Sequence, residues 1–124
     1  MRYLIDTDVI VDFLRGRDEA VAFIVQVENP MLSTVTIAEL YAGVRGVREE
    51  AKLADLLKLF ETTVLDEEIA KAAGRYRHKY GPSHGSGLAD CIIAASAHHH
   101  GATIATRNVK HFPMLKNVVV PYSG

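Results

Sequence analysis

The sequence predicts an α/β fold, a three-layer α/β/α arrangement on a five-stranded parallel sheet. Short apolar runs of strand length alternate with stretches of helical period, and acids distant in sequence fall where strands end or helices begin. The 124 residues match the length of one domain, so residues 1 to 124 are expected to form a single core.

Tyr3, Leu4 and Ile5 form an apolar run that stops at Asp6, the pattern of a buried strand delivering an acid at its carboxyl end. Asp8 is placed to cap the next helix, whose apolar positions Val9, Ile10, Phe13 and Leu14 lead to a stop at Gly16. A second helix is predicted over 18–28, ended by Asn29-Pro30, and Met31 to Ser33 reads as the second strand. Thr34 or Thr36 can cap the following helix. Glu39 stands three residues after Thr36, at capping-box distance. Beyond Gly46, an amphipathic helix is predicted over 48–60 from Leu53, Leu56, Leu57 and Phe60. Residues 63–65 read as the third strand and 67–80 as a helix, and 81–87 as a glycine-rich mobile loop without the lysine of a phosphate-binding P-loop. A mostly apolar helix over 88–100, a fourth strand from Gly101, Thr103, Ile104 and Ala105 and a fifth at Val118 to Val120 complete the reading.

A hydrophobic fraction of 48% with 23% charged residues excludes disordered and disulfide-scaffold classes. Fourteen Lys and Arg against fifteen Asp and Glu give a net charge of −1, so any nucleic-acid contact has to be local. The lone Cys91 forms no internal disulfide, which suits a reducing, cytoplasmic compartment. No apolar stretch approaches the roughly 20 residues of a membrane span, and no signal-type segment opens the chain.

In an open parallel sheet, ligands bind at the carboxyl ends of strands near the switch in strand order. Asp6, Glu39, Asp90 and the Thr106-Arg107-Asn108 segment are expected to meet there. Clustered carboxylates in a partly dry cleft call for a cation. Oxygen ligands without Cys or a zinc-type His pattern favour Mg²⁺ or Mn²⁺. The inferred chemistry is phosphodiester hydrolysis, with Asp6 and Asp90 as inner metal ligands and Glu39 orienting water or completing the site. Asp8 reads as a cap or a supporting group. Arg15, Arg17, Arg45, Arg48, Arg107 and Lys110 are candidate phosphate contacts, Arg107 first because it adjoins the site. His98, His99 and His100 are consecutive in a helix, point in different directions and cannot share one ion.

The stretches Leu4-Ile5-Asp6-Thr7-Asp8-Val9-Ile10, Thr36-Ile37-Ala38-Glu39-Leu40, Leu88-Ala89-Asp90-Cys91-Ile92-Ile93-Ala94-Ala95 and Ala105-Thr106-Arg107-Asn108-Val109-Lys110-His111-Phe112 together resemble the PIN domain. Their order and spacing are similar to VapC-type ribonuclease toxins of toxin–antitoxin systems. The resemblance implies a five-stranded parallel sheet, a Mg²⁺- or Mn²⁺-dependent endoribonuclease, a homodimer and a cognate antitoxin whose tail occupies the active-site groove. By position, Asp6, Glu39 and Asp90 match the family's acidic triad, Thr106 its hydroxyl and Asn108 an Asn or Asp. Where many relatives place a fourth acid, this chain has His111, a candidate ligand, proton carrier or RNA contact. The apolar helices between 18 and 60 offer a candidate interface for a dimer or an antitoxin.

Two rival readings stand beside this one. Asp6-Thr7-Asp8 is the Asp-x-Asp start of a haloacid-dehalogenase-like phosphatase, but Val9-Ile10 replaces the Gly-Thr continuation. A non-catalytic PIN-fold module for nucleic-acid binding or scaffolding is the other, opposed by retention of all three acids.

Overall fold

A computed structural model describes residues 1–123, so Gly124 of the expected 1–124 domain lies outside the described residues. The strands are β1 (Tyr3–Ile5), β2 (Met31–Ser33), β3 (Glu61–Thr63), β4 (Thr103–Ala105) and β5 (Val118–Val119). The helices are α1 (Thr7–Leu14), α2 (Asp18–Gln26), α3 (Thr34–Ala42), α4 (Gly46–Leu57), α5 (Glu67–His84) and α6 (Leu88–His100). The five strands run parallel in the order β3-β2-β1-β4-β5, as expected for the three-layer class. Strand order reverses beside β1, because the chain builds outward through β2 and β3 and then returns to β1's other edge with β4.

Alternate residues of the central strands face opposite layers, the consequence of a two-residue side-chain period. Ile5, Leu32 and Ala105 pack with α1, α2, α3 and α4 through Leu14, Phe23, Leu40 and Leu53. Leu4, Met31 and Ile104 face the other way, against Ile93, Ala94 and Ala97 of α6 and the buried Phe112. Every residue from Cys91 to Ala97 is buried, since α6 lies between the sheet and α5. Its alanines keep that approach close. Ser96 satisfies its buried hydroxyl by donating to the Ile92 carbonyl at 2.8 Å.

Several boundaries differ from the sequence expectations. The third strand lies at Glu61–Thr63, two residues before the expected 63–65, leaving Val64 67% and Leu65 41% exposed. An edge strand pairs on one side only, here Met31 with Glu61 and Ser33 with Thr63, and needs no apolar run. The segment expected as a loop after Tyr80 continues α5 to His84, with Pro82 inside the helix. Gly81 precedes that proline and has no Cβ to clash with its ring, and the missing N–H costs only one bond in the last turn. Gly85 then ends the helix at φ +66°, a left-handed conformation that suits glycine. Helix α2 stops at Gln26, α4 begins at Gly46 and ends at Leu57, and β5 stops at Val119. The extra helical turn Val109–His111 carries no apolar period that would announce it.

The expected caps are also corrected. Asp6, not Asp8, occupies the N-cap of α1, and Ser33, not Thr34 or Thr36, caps α3 by accepting from the Val35 N–H at 3.2 Å. Both helices therefore start directly at a strand end. Glu39 falls in the second turn of α3, too far in to close a capping box with Thr36.

Candidate active site

Asp6 follows the last residue of the central strand, where β1 and β4 open the crevice at the reversal of strand order. Its backbone N–H still pairs with the Ala105 carbonyl at 2.9 Å, which fixes the residue against β4. The side chain is 5% exposed. One carboxylate oxygen accepts from the Thr7 N–H at 2.8 Å and the other from the Thr106 hydroxyl at 2.7 Å. The fully buried Thr106 Oγ1 in turn accepts from the Asn108 N–H at 2.9 Å, so the segment after β4 is folded onto Asp6.

Asp8, in the first turn of α1, meets the same segment. Its Oδ2 accepts from the Arg107 N–H at 3.0 Å and from Asn108 Nδ2 at 3.1 Å. Its Oδ1 is buried with no hydrogen-bond partner. Burial holds the Asp8 carboxyl above the usual range in spite of these donors. Burial likewise lifts Asp6 to about 7, and the neighbouring Asp8 and Asp90 carboxylates add to the rise against the bonds from Thr106 and Thr7. The crevice thus holds more negative charge than its own donors neutralise.

Glu39 approaches from α3 and is exposed, with Oε1 accepting from the Thr7 hydroxyl at 2.7 Å. Thr7 Oγ1 is also 3.0 Å from the buried Thr36 hydroxyl, so Thr7 ties α1 to α3 beside the crevice. Asp90 lies in the first turn of α6, where its Oδ2 accepts from the Gly87 N–H at 3.2 Å. His111 Nδ1 stands 3.5 Å from the same oxygen. Ser86 holds that histidine's backbone in place by donating from Oγ to the His111 carbonyl at 2.8 Å.

The expected residues therefore occupy one end of the sheet, Asp6 and Thr106 in direct contact, Asn108 bonded to Thr106 and to Asp8, Glu39 and Asp90 on flanking helices. Among the described residues, no three His, Cys, Asp or Glu side chains converge closely enough to hold an ion as they stand. An ion held by Asp6, Asp90 and Glu39 would have to draw them inward. The excess of carboxylate charge, the raised Asp6 and the unpartnered Asp8 oxygen are what a divalent cation would relieve, and oxygen donors suit Mg²⁺ or Mn²⁺.

Arg107, expected as a phosphate contact, is engaged inside the protein. Its Nη1 donates to Asp12 Oδ2 at 3.0 Å, which also accepts from the Tyr122 hydroxyl at 2.6 Å and pairs with Arg17 at 3.6 Å. Arg17 and Arg107 both lie over the Tyr122 ring. Burial, then the Asp12 carboxylate, holds the Tyr122 hydroxyl above the ordinary phenol range. Lys110 is exposed and makes no ion pair among the described residues. Sequence reasoning missed Thr7, Asp12 and Tyr122. Asp8 and Asp12 are spaced i, i+4, the one available signal that both face the same neighbour.

The central acid at a parallel strand end, the hydroxyl beside it and the acids of two flanking helices form an acidic crevice at the reversal of strand order. The PIN domain model matches residues 3–114, and the chain belongs to the PIN-domain family. Ribonuclease VapC19 of Mycobacterium tuberculosis is 38% identical, the match covering 96% of this chain and 98% of the relative. Ribonuclease VapC10 of the same species is 36% identical over 97% of this chain and 92% of its own length. Among solved structures, a toxin–antitoxin complex from Klebsiella pneumoniae superposes with a TM-score of 0.83 at 29% identity, covering 98% of each chain.

Proposed function

We propose that this chain is a single-domain endoribonuclease toxin that hydrolyses RNA phosphodiester bonds with Mg²⁺ or Mn²⁺. The observation that carries the reading is the buried Asp6, raised to about 7 at the carboxyl end of the central strand beside further carboxylates. Membership of the PIN-domain family and likeness to two VapC ribonucleases support it. Asp6, Asp90 and Glu39 are the residues proposed to hold the metal. A divalent ion there supplies Lewis-acid stabilisation of the phosphoryl oxygens and a more acidic water. The chain's own contribution is orientation. Thr106 fixes one Asp6 oxygen, the Thr7 hydroxyl fixes Glu39, and Asn108, anchored by its N–H to Thr106 and by its amide to Asp8, stands at the rim. His111 lies beside Asp90, and it and its exposed sequence neighbour Lys110 are proposed to touch RNA; Arg107 contributes by holding the segment in place.

A cognate antitoxin is the proposed partner and a homodimer the proposed assembly. Of Leu53, Leu56, Leu57 and Phe60, expected at an interface, Leu53, Leu56 and Phe60 are buried in the core and Leu57 is partly buried against it. Apolar surface remains nearby, with Val25 of α2 71% and Leu59, just past α4, 59% exposed around clefts of about 380 and 390 Å³ that share Phe13 and Leu59. No helix among the described residues is long and apolar enough to cross a membrane. The cytoplasm is the proposed compartment because RNA is the proposed substrate.

The test is RNA cleavage by the purified protein with Mg²⁺, Mn²⁺ or chelator, set against Asp90→Asn. Metal-dependent cutting that the substitution abolishes, in a protein with unchanged circular dichroism, supports the reading. Cutting that survives in Asp90→Asn overturns the site, and no cutting with RNA binding retained favours the non-catalytic module.

A further inference from the structure

We infer that the cleft beside the C-terminal end of α1 is a track for the phosphate backbone of single-stranded RNA, leading into the acidic site. The inference rests on the ribonuclease reading above. A cavity of about 420 Å³ is lined by Leu14, Arg15, Arg45, Arg48, Glu49 and Lys52. A second cleft of about 220 Å³ shares Leu14, Arg15 and Glu49 with it and has Glu39 on its wall. The two clefts adjoin through these three shared residues, with the cations around the first and Glu39, a member of the acidic site, on the wall of the second.

Charge selects the occupant. Four cations and one acid line the outer cavity of a chain whose net charge is −1. Glu49 answers only part of that charge, pairing with Arg15 at 3.7 Å and accepting from the Arg45 N–H at 3.0 Å. The side chains of Arg45, Arg48 and Lys52 are exposed and make no ion pair among the described residues. Their placement does not serve the helix. Arg45 is the N-cap of α4 and Arg48 lies in its first turn, where the helix dipole disfavours cations. Arg48 and Lys52 are spaced i, i+4 and share a face of α4, so the cations form a row.

A strand cut at Asp6 and Asp90 must continue away from the site, and its flanking phosphates need cations without partners. Arg17 and Arg107 are tied to Asp12. The cations on α4 are not, which leaves them to meet those phosphates. An acidic peptide is the rival occupant, but the clefts adjoin Glu39 of the proposed nuclease site, where an RNA strand being cut has to pass and a peptide does not.

The experiment compares the full chain with R45Q/R48Q/K52Q, and with R75Q/R77Q/K79Q as an equal loss of charge on α5. Fluorescence anisotropy of a labelled short single-stranded RNA is followed over a salt series in chelator, so that nothing is cut. With unchanged thermal unfolding, the groove variant is expected to bind roughly tenfold or more weakly at low salt. Its plot of log affinity against log salt is expected to flatten by about 2, at about 0.7 per lost phosphate contact. In metal, its cleavage of the same RNA should slow through KM and not kcat, while the α5 variant follows the wild type. Unchanged affinity and slope, or equal flattening in the α5 variant, overturns the track while the ribonuclease reading stands on the wild type's cleavage. Wild-type protein that neither binds nor cuts RNA overturns both. An acidic peptide whose binding alone is lost in the groove variant assigns the cleft to a protein partner and overturns the RNA track.

Discussion

Helix α1 has two cationic neighbourhoods that resemble one another in sequence and differ in what their charges meet. Arg17 and Arg107 converge on Asp12, stack on Tyr122 and, through the Arg107 backbone, hold the segment after β4 against Asp8. Arg45, Arg48 and Lys52 face solvent across a cleft that holds one carboxylate, already contacted by Arg15. The first group stabilises the molecule and has no charge left to offer a ligand; the second leaves its charge unmet. A count of basic residues near a site is therefore a poor guide to phosphate binding, since a cation matters to a ligand only when no carboxylate of its own chain has claimed it.

The largest expected effect lies on the interlocked side, at Asp6. Its folded-state value of about 7 exceeds the ordinary 3.8, so between those values the folded chain binds more protons than the unfolded one. Stability of the metal-free protein should therefore fall as pH rises through that window, by roughly 4 kcal/mol at most, at about 1.4 kcal/mol per unit. Urea denaturation across the window measures it, and Asp6→Asn should flatten the slope, with a remainder from Asp8, whose value is also raised. A full slope in that variant would contradict the assignment. The same protonation should make metal affinity rise with pH, with protons released on binding, a calorimetric observable in buffers of different ionisation heat.

Next comes Asp12→Ala, which leaves Arg17, Arg107 and Tyr122 without their shared acceptor and is expected to cost about 2–3 kcal/mol. Its cleavage should drop as well, because the Arg107 and Asn108 contacts to Asp8 lose their support. Wild-type stability in this variant would erase the contrast between the two neighbourhoods. Tyr122→Phe, which removes one donor and keeps the ring, should cost about 1 kcal/mol in the same denaturation experiment. The smallest effect is expected for Arg48→Gln, within about 0.5 kcal/mol of wild type, since an exposed and unpaired cation contributes little to folding. A substantial loss there would show that the groove is structural after all.

Much of this was readable from the chain. Leu4-Ile5-Asp6 announces a buried strand ending in an acid, and Asn29-Pro30, Gly101 and the apolar stripes of α1 and α6 place their elements closely. The third strand was displaced because Glu61–Thr63 pairs through backbone at one edge, where side-chain pattern has little to say. The end of α5 was missed because Gly-Pro normally breaks a helix, and only the glycine's missing Cβ relieves the clash here. The caps went astray for one reason. Strands β1 and β2 run into their helices with no intervening loop, so Asp6, the residue after β1, and Ser33, the last of β2, serve as the helix caps.

Local chemistry in the sequence determined the class of fold, the three acids and the hydroxyl of the candidate site, because strand and helix periods and the charge of a side chain belong to residues and their near neighbours. Only the tertiary structure decided which charges meet. The Asp6–Thr106 and Asp12–Tyr122 bonds join residues 100 and 110 positions apart, and whether Arg107 or Arg48 stays available to a ligand depends on which carboxylates the packed chain brings within reach. Coulombic and hydrogen-bond partners are set by distance in space, and sequence separation does not encode it.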